Sequence, residues 1–124
     1  MTQPLALLLY ERLLPGSQLL QRLQDLGYRV VTAPGAEHLV ESCRKEKPMV
    51  LVADIGDRPD RVCAALTMVR ETPETSHIPV IAIIPPQSPK AEAAARQSGA
   101  RLVVHDNVIL AHLPQFLDQA LALE

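Results

Sequence analysis

Five short apolar runs recur along the chain, and each is rich in valine, isoleucine and leucine. They cover residues 5–10, 29–33, 49–54, 78–84 and 101–105. Most are apolar at consecutive positions rather than at every second one, which is typical of strands buried on both faces of a parallel sheet. The pattern therefore predicts five β-strands covered by helices on both sides.

Apolar residues at helical spacing lie between these runs and predict five helices. Gly27 and Gly99 stand where the first and fourth helices should end, and Ser88 with Pro89 marks the start of the fourth. The apolar positions of the fourth helix are nearly all alanine: Ala91, Ala93, Ala94 and Ala95. Pro114 indicates that the regular part of the last helix begins late.

Strand and helix alternate over 124 residues, a length that suits one domain spanning 1–124. With right-handed crossovers, five such units predict a three-layer, doubly wound α/β fold of the flavodoxin-like type, with strand order 2-1-3-4-5. Its switch point gathers the carboxyl ends of the first, third and fourth strands. Asp54, the last residue of the third run, is expected to lie there.

Composition argues against several classes of function. The net charge is -2 and aromatic residues make up 2% of the chain, whereas nucleic-acid binding usually needs a basic patch with stacking aromatics. Cys43 and Cys63 fall on predicted apolar stripes without metal-ligand spacing, so we expect reduced core thiols. The first apolar run is too short to span a membrane and lacks a basic leader, which predicts a cytoplasmic protein without membrane association.

The order and spacing of several motifs resemble those of the receiver domains of two-component response regulators. The segments that carry the resemblance are Asp25–Leu26–Gly27–Tyr28 at the end of the first helix, His77–Ile78–Pro79–Val80–Ile81 before the fourth strand, and Ser98–Gly99–Ala100 before the fifth. Asp54 stands where receivers have their phospho-accepting aspartate. The resemblance covers the whole chain and implies a role in phosphorelay signalling.

The same resemblance implies that most of the phosphorylation chemistry is lost. Receivers have two acidic residues after the first strand, where this chain has Tyr10 and Glu11. Their hydroxyl residue at the end of the fourth strand is replaced by Ile84, which cannot donate a hydrogen bond. Their lysine at the end of the fifth strand is replaced by Asp106, which repels a phosphoryl group.

The metal site implied by the resemblance is also incomplete. Glu11, Asp54 and the backbone carbonyl of Gly56 match the positions that hold magnesium in receivers. With Tyr10 in place of one acid, we expect no resident cofactor and at most weak Mg²⁺ binding.

Receivers usually dock partners through the fourth helix, fifth strand and fifth helix. The resemblance places Ala91, Ala94, Ala95 and Val103 on that face. Val103 replaces the aromatic switch residue of the family, so signalling through a moving ring is not expected. The face implies docking to a histidine kinase or another signalling protein, or to a second copy of the chain.

Three functional hypotheses follow. The first is a degenerate receiver, or pseudo-receiver, a binding module without enzymatic turnover in which Asp54 is a vestigial or weak phosphoacceptor. The alternative is a functional receiver phosphorylated on Asp54 by a histidine kinase. A small flavodoxin-like enzyme is the weakest, because the loop at 11–16 after the first strand is bulky rather than glycine-rich.

Overall fold

The computed structural model describes residues 4–10, 13–33, 35–55 and 59–121. The five β-strands are β1 (Leu5–Leu9), β2 (Arg29–Thr32), β3 (Val50–Asp54), β4 (Val80–Ile84) and β5 (Leu102–His105). The helices within these ranges are α1 (Leu13–Asp25), α2 (Leu39–Glu46), α3 (Pro59–Glu71), α4 (Pro89–Gln97), α5 (Asp106–Ile109) and α6 (Leu113–Leu121). A 3₁₀ turn, Ala36–His38, leads directly into α2.

The strands form one parallel sheet in the order β2-β1-β3-β4-β5, which confirms the predicted fold class. Each predicted apolar run matches its strand to within about two residues at either end. Strands β1, β3 and β4 are buried at every position because helices cover both faces of the sheet. The edge strand β2 is exposed or half-buried throughout.

Side chains alternate along the strands between two apolar cores, one on each face of the sheet. The first, which we call the α3-side core, contains Leu51 and Ile84 packed with side chains from α2, α3 and α4. The second, the α1-side core, contains Val52 and Ile83 packed with side chains from α1, α5 and α6. Two such cores explain why the strands are apolar at consecutive positions.

Glycines end two helices as predicted. Gly27 has a positive φ of 91°, and its N–H donates to the carbonyl of Gln24 at 3.0 Å while the N–H of Tyr28 donates to Leu23 at 3.0 Å. This pair of bonds is a Schellman motif, in which glycine adopts the left-handed conformation without steric cost. Gly99 ends α4 with a φ of 88°.

The start of α4 is confirmed in position but lacks the expected cap. Ser88 is the N-cap residue and Pro89 the first helical residue, yet the Ser88 side chain makes no capping hydrogen bond. The first turn of α4 therefore lacks a stabilising contact that is typically worth about 1 kcal/mol.

The last helical region is divided in two, so the described residues contain one helix more than the five predicted. Short α5 begins at Asp106, and α6 begins at Leu113 with Pro114 in its first turn. Proline is tolerated there because its missing N–H would have no intrahelical partner, which agrees with the predicted late start. In the part of the chain that the structure describes, we find no helix with the length and apolar character needed to cross a membrane.

Both cysteines are free and buried in the α3-side core, as predicted. Burial raises the pKa of the Cys43 thiol to about 11. Burial, together with the nearby charge of Asp60, raises that of Cys63 to about 11 as well. Neither thiol is suited to act as a nucleophile near neutral pH, because the thiolate is the reactive form.

These thiols should make stability depend on pH. In the unfolded chain thiols lose their protons near pH 8.5, whereas the folded chain holds them until about pH 11. The stability that the protonated thiols contribute is therefore fully present below about pH 8.5 and is lost as the pH rises towards about 11. In urea denaturation, the Cys43→Ala/Cys63→Ala variant should lose less stability than the wild type between about pH 8 and 10.5. Parallel pH profiles would contradict this.

Candidate functional site

Four strands end at one edge of the sheet, where the described members of the predicted pocket lie. In the strand register, Leu9 pairs with Ala53, Asp54 with Ile83, and Ile84 with His105. Tyr10, Asp54, Ile84 and Asp106 therefore lie at or just beyond neighbouring strand ends. Because the chain leaves β1 towards β2 and returns to β3 on its other side, this edge contains the predicted switch point.

Asp54 is the one acid at the end of an otherwise apolar strand. Its exposed fraction is 1%, and it follows four buried residues of β3. Strand alternation places it on the same face as Val52, towards α1 and α6. Burying a carboxylate is costly unless it has partners, and Asp54 does interact with other groups. Among the described residues, no buried side-chain nitrogen or oxygen lacks a hydrogen-bond partner.

Tyr10, which the resemblance aligns with an acidic residue of receivers, lies directly after β1. It is half-buried and packs against the α1-side core on the same face as Asp54. A phenol is not among the oxygen ligands that usually hold Mg²⁺ in proteins. Its role in the structure is apolar packing beside the strand end.

The predicted metal ligands are described only in part. Glu11 and Gly56 lie outside the described residues, so Asp54 is the only member of the predicted set that the structure places. In the described ranges, no group of three or more histidine, cysteine, aspartate or glutamate residues is arranged to hold a metal ion.

Ile84 ends β4 with an exposed fraction of 1%. Its side chain packs in the α3-side core rather than standing free at the pocket. An aliphatic side chain offers neither a donor nor an acceptor to a ligand at this edge. The end of β4 is thus apolar.

Asp106 begins α5 directly after β5 and is half-buried. A carboxylate in the first turn of a helix is favoured by the partial positive charge of the unpaired N–H groups. Asp106 also interacts with other groups in the structure. This local role explains an acid at a position that the resemblance aligns with the lysine of receivers.

The structure corrects the predicted docking face. Ala91 and Ala95 have exposed fractions of 1% and 0% and pack in the α3-side core, so neither is available to a partner. Ala94 and Val103 are half-buried at the edge of the same core. The spacing of four residues between Ala91 and Ala95 puts both on the inner side of α4, which turns Ala93 outwards.

A groove between α4 and β5 lies on the predicted face of the fourth helix, fifth strand and last helix, although Val103 is the only residue of its lining that was predicted for docking. It has a volume of about 370 Å³ and extends from α4 across β5 to α5 and α6. Val103, Val108 and Phe116 supply apolar lining, and an ion pair between Glu92 and Arg96 at 3.0 Å borders it on α4. We call it the α4–β5 groove. Phe116, the only phenylalanine in the sequence, lies in the apolar stripe of the last helix and could have indicated this groove.

Comparison with solved structures identifies the fold. The receiver domain of the sensor histidine kinase PA1611 from Pseudomonas aeruginosa PAO1, crystallised with magnesium in its active-site cleft, matches with a TM-score of 0.86 and 18% identity, covering 97% of this chain and 98% of that one. The chemotaxis protein CheY4 of Vibrio cholerae matches with a TM-score of 0.81 and 18% identity over 96% of this chain and 99% of its own.

A response regulator from Thermotoga maritima matches with a TM-score of 0.78 and 15% identity over 97% of this chain and 98% of that one. No family model and no curated relative matches the sequence. The chain therefore has the fold of receiver domains, at a sequence similarity that leaves its function to be argued from its own residues.

Proposed function

We propose that this chain is a pseudo-receiver: a signalling domain in a two-component system that works by docking to another protein, with phosphorylation of Asp54 weak or absent. The observation that carries the proposal is the composition of the carboxyl edge beside Asp54. The end of β4 is a buried isoleucine, and the residue after β5 is an acid.

Ile84 and Asp106 both disfavour phosphorylation of Asp54. Phosphoryl transfer depends on positioning and on stabilising negative charge as it develops. Ile84 cannot donate a hydrogen bond, and Asp106 adds a negative charge near a product that already carries about two. Each lost interaction is worth on the order of 1–3 kcal/mol.

A weak magnesium site is compatible with this proposal. The Pseudomonas receiver domain with the same fold binds magnesium in its active-site cleft. In this chain Glu11, Asp54 and the carbonyl of Gly56 would hold the ion, with water completing the shell. The ion would then screen the repulsion among the acids of the pocket.

The α4–β5 groove is the docking surface we propose, because it offers apolar area next to charges. Its apolar wall comes from Val103, Val108 and Phe116, while Arg96 and His105 provide polar contacts at its border. Interfaces commonly combine an apolar centre with a polar rim. The proposed partner is a histidine kinase or another signalling protein, which implies a cytoplasmic site of action and a role without enzymatic turnover.

The test is intact-mass measurement after incubation with a small-molecule phosphodonor and Mg²⁺. We expect no stable increase of about 80 Da, the mass of one phosphoryl group. Asp54→Asn is the matched control, since it removes the acceptor while keeping the size of the side chain. Substantial labelling of the wild type that disappears in Asp54→Asn would favour the alternative, a functional receiver phosphorylated on Asp54 by a histidine kinase.

A further inference from the structure

One face of α3 carries an exposed stripe that the α4–β5 groove does not use. Arg61, Ala64, Met68 and Glu71 are all exposed, and they follow one another at intervals of three, four and three residues. This is the spacing of a helix seam that packs against another helix. The opposite side of α3 is already buried in the α3-side core through Val62, Leu66 and Val69. We call the exposed set the α3 stripe.

In the α3 stripe, the apolar side chain of Met68 projects next to a cavity. Met68 has an exposed fraction of 59%, the highest among the large apolar side chains of the described residues. Beside it lies a cavity of about 220 Å³ between α2 and α3, lined by Val40, Ala64 and Ala65. An unbranched methionine side chain adapts readily to an irregular hollow of this kind.

The charges of the α3 stripe are self-complementary when two copies of the helix pack antiparallel. If two copies of α3 pack antiparallel about a two-fold axis between Ala64 and Met68, each Met68 faces Ala64 of the second copy. The same axis places Arg61 of each copy opposite Glu71 of the other. Opposite charges then meet at both ends of the contact, whereas a parallel arrangement would place like charges together.

Arg61 is already oriented for this contact. It forms an ion pair with Glu37 in the 3₁₀ turn before α2, which holds the guanidinium at one end of the cavity. Arg61 makes a further interaction as well, and the five N–H donors of a guanidinium can serve several acceptors at once. Holding the side chain in place in advance reduces the entropy lost on association.

From these observations we infer that the α3 stripe is a self-association surface, through which two copies of the chain form an antiparallel dimer with Met68 of each in the α2–α3 cavity of the other. The contact is small, so the dimer should be weak, with a dissociation constant on the order of 100 μM. The stripe shares no residue with the α4–β5 groove or with the predicted pocket, so the inference stands or falls independently of the proposed function.

Sedimentation equilibrium of the full chain between about 10 μM and 1 mM tests the apolar part of the contact. We expect concentration-dependent dimers, and Met68→Asp should raise the dissociation constant at least about tenfold by placing a carboxylate in the cavity. Met49→Asp is the matched control, because Met49 is also exposed, at 53%, but lies outside the stripe before β3. It should leave the constant unchanged.

Charge reversal tests the antiparallel pairing. Arg61→Glu and Glu71→Arg should each weaken self-association at least about tenfold, because each homodimer then places like charges opposite one another. An equimolar mixture of the two variants should regain dimers of wild-type affinity, since both contacts become attractive in the heterodimer. Native mass spectrometry identifies that heterodimer by its mass.

Three results would overturn the inference. One is a wild type that stays monomeric at about 1 mM. Another is a dimer that Met68→Asp leaves as strong as the wild type. The third is a mixture of the charge-reversed variants that remains monomeric although each variant is folded.

Discussion

Replacing Ile84 by threonine and Asp106 by lysine should turn the carboxyl edge into one that accepts phosphate. The threonine hydroxyl supplies a hydrogen bond and the lysine a countercharge for a phosphoryl group on Asp54. At about 1–3 kcal/mol for each interaction, the double variant should be labelled at least about 30-fold more than the wild type by a small-molecule phosphodonor with Mg²⁺. Intact mass gives the labelled fraction.

The same substitutions have a cost in stability, because each replaces a residue that suits its local structure. Ile84 packs in the α3-side core, and threonine, which is smaller, loses part of this apolar contact. Asp106 is favoured in the first turn of α5, where lysine is not. We expect a total loss of roughly 2–4 kcal/mol, so thermal unfolding should be followed alongside labelling.

Two controls connect any gain to the pocket. Asp54→Asn in the double variant should remove the labelling completely. Asp118→Lys together with Ile84→Thr makes the same change in charge on the exposed side of α6, and it should give only the part of the gain that the threonine supplies. A folded double variant labelled no better than the wild type would show that the missing hydroxyl and cation are not what limits phosphorylation.

The sequence predicted the sheet well because burial on two faces leaves a direct trace in the chain. Strands β1, β3 and β4 have to be apolar at consecutive positions when helices cover both sides, and such runs are visible without any structure. Gly27 was predictable for a similar reason, since the left-handed conformation at a helix end favours one residue type. Local rules of this kind need no knowledge of tertiary contacts.

The surface was harder to predict because alanine does not reveal which way it faces. Ala91 and Ala95 were assigned to a docking face, but their spacing of four residues places both against the sheet. Val103 was correctly assigned to the face that holds the α4–β5 groove, but Val108 and Phe116 were missed because they come from separate elements that meet only after folding. Asp54 was located at the switch point from the end of its strand alone, whereas its role as a phosphoacceptor remains a prediction.

Leu51→Ala should produce a large loss of stability. Leu51 is fully buried in the central strand β3, paired in register with Leu7 on one side and Val80 on the other. Removing its methyl groups leaves a cavity. Because β3 is hydrogen-bonded to a strand on each side, the surrounding backbone cannot easily move in to fill it. The expected cost is about 2–5 kcal/mol. The free energy of unfolding of a domain is about 5–15 kcal/mol, so a large part of the stability would be lost.

Urea denaturation measures this cost, with Leu26→Ala as the matched control for the same chemical change. Leu26 is 38% exposed at the end of α1, so its truncation removes less contact area and should cost less than about 1 kcal/mol. The slope of the free energy of unfolding against urea should stay the same in both variants, since neither changes the surface exposed on unfolding by much. A loss below about 1 kcal/mol for Leu51→Ala would mean that the helices do not close tightly over β3.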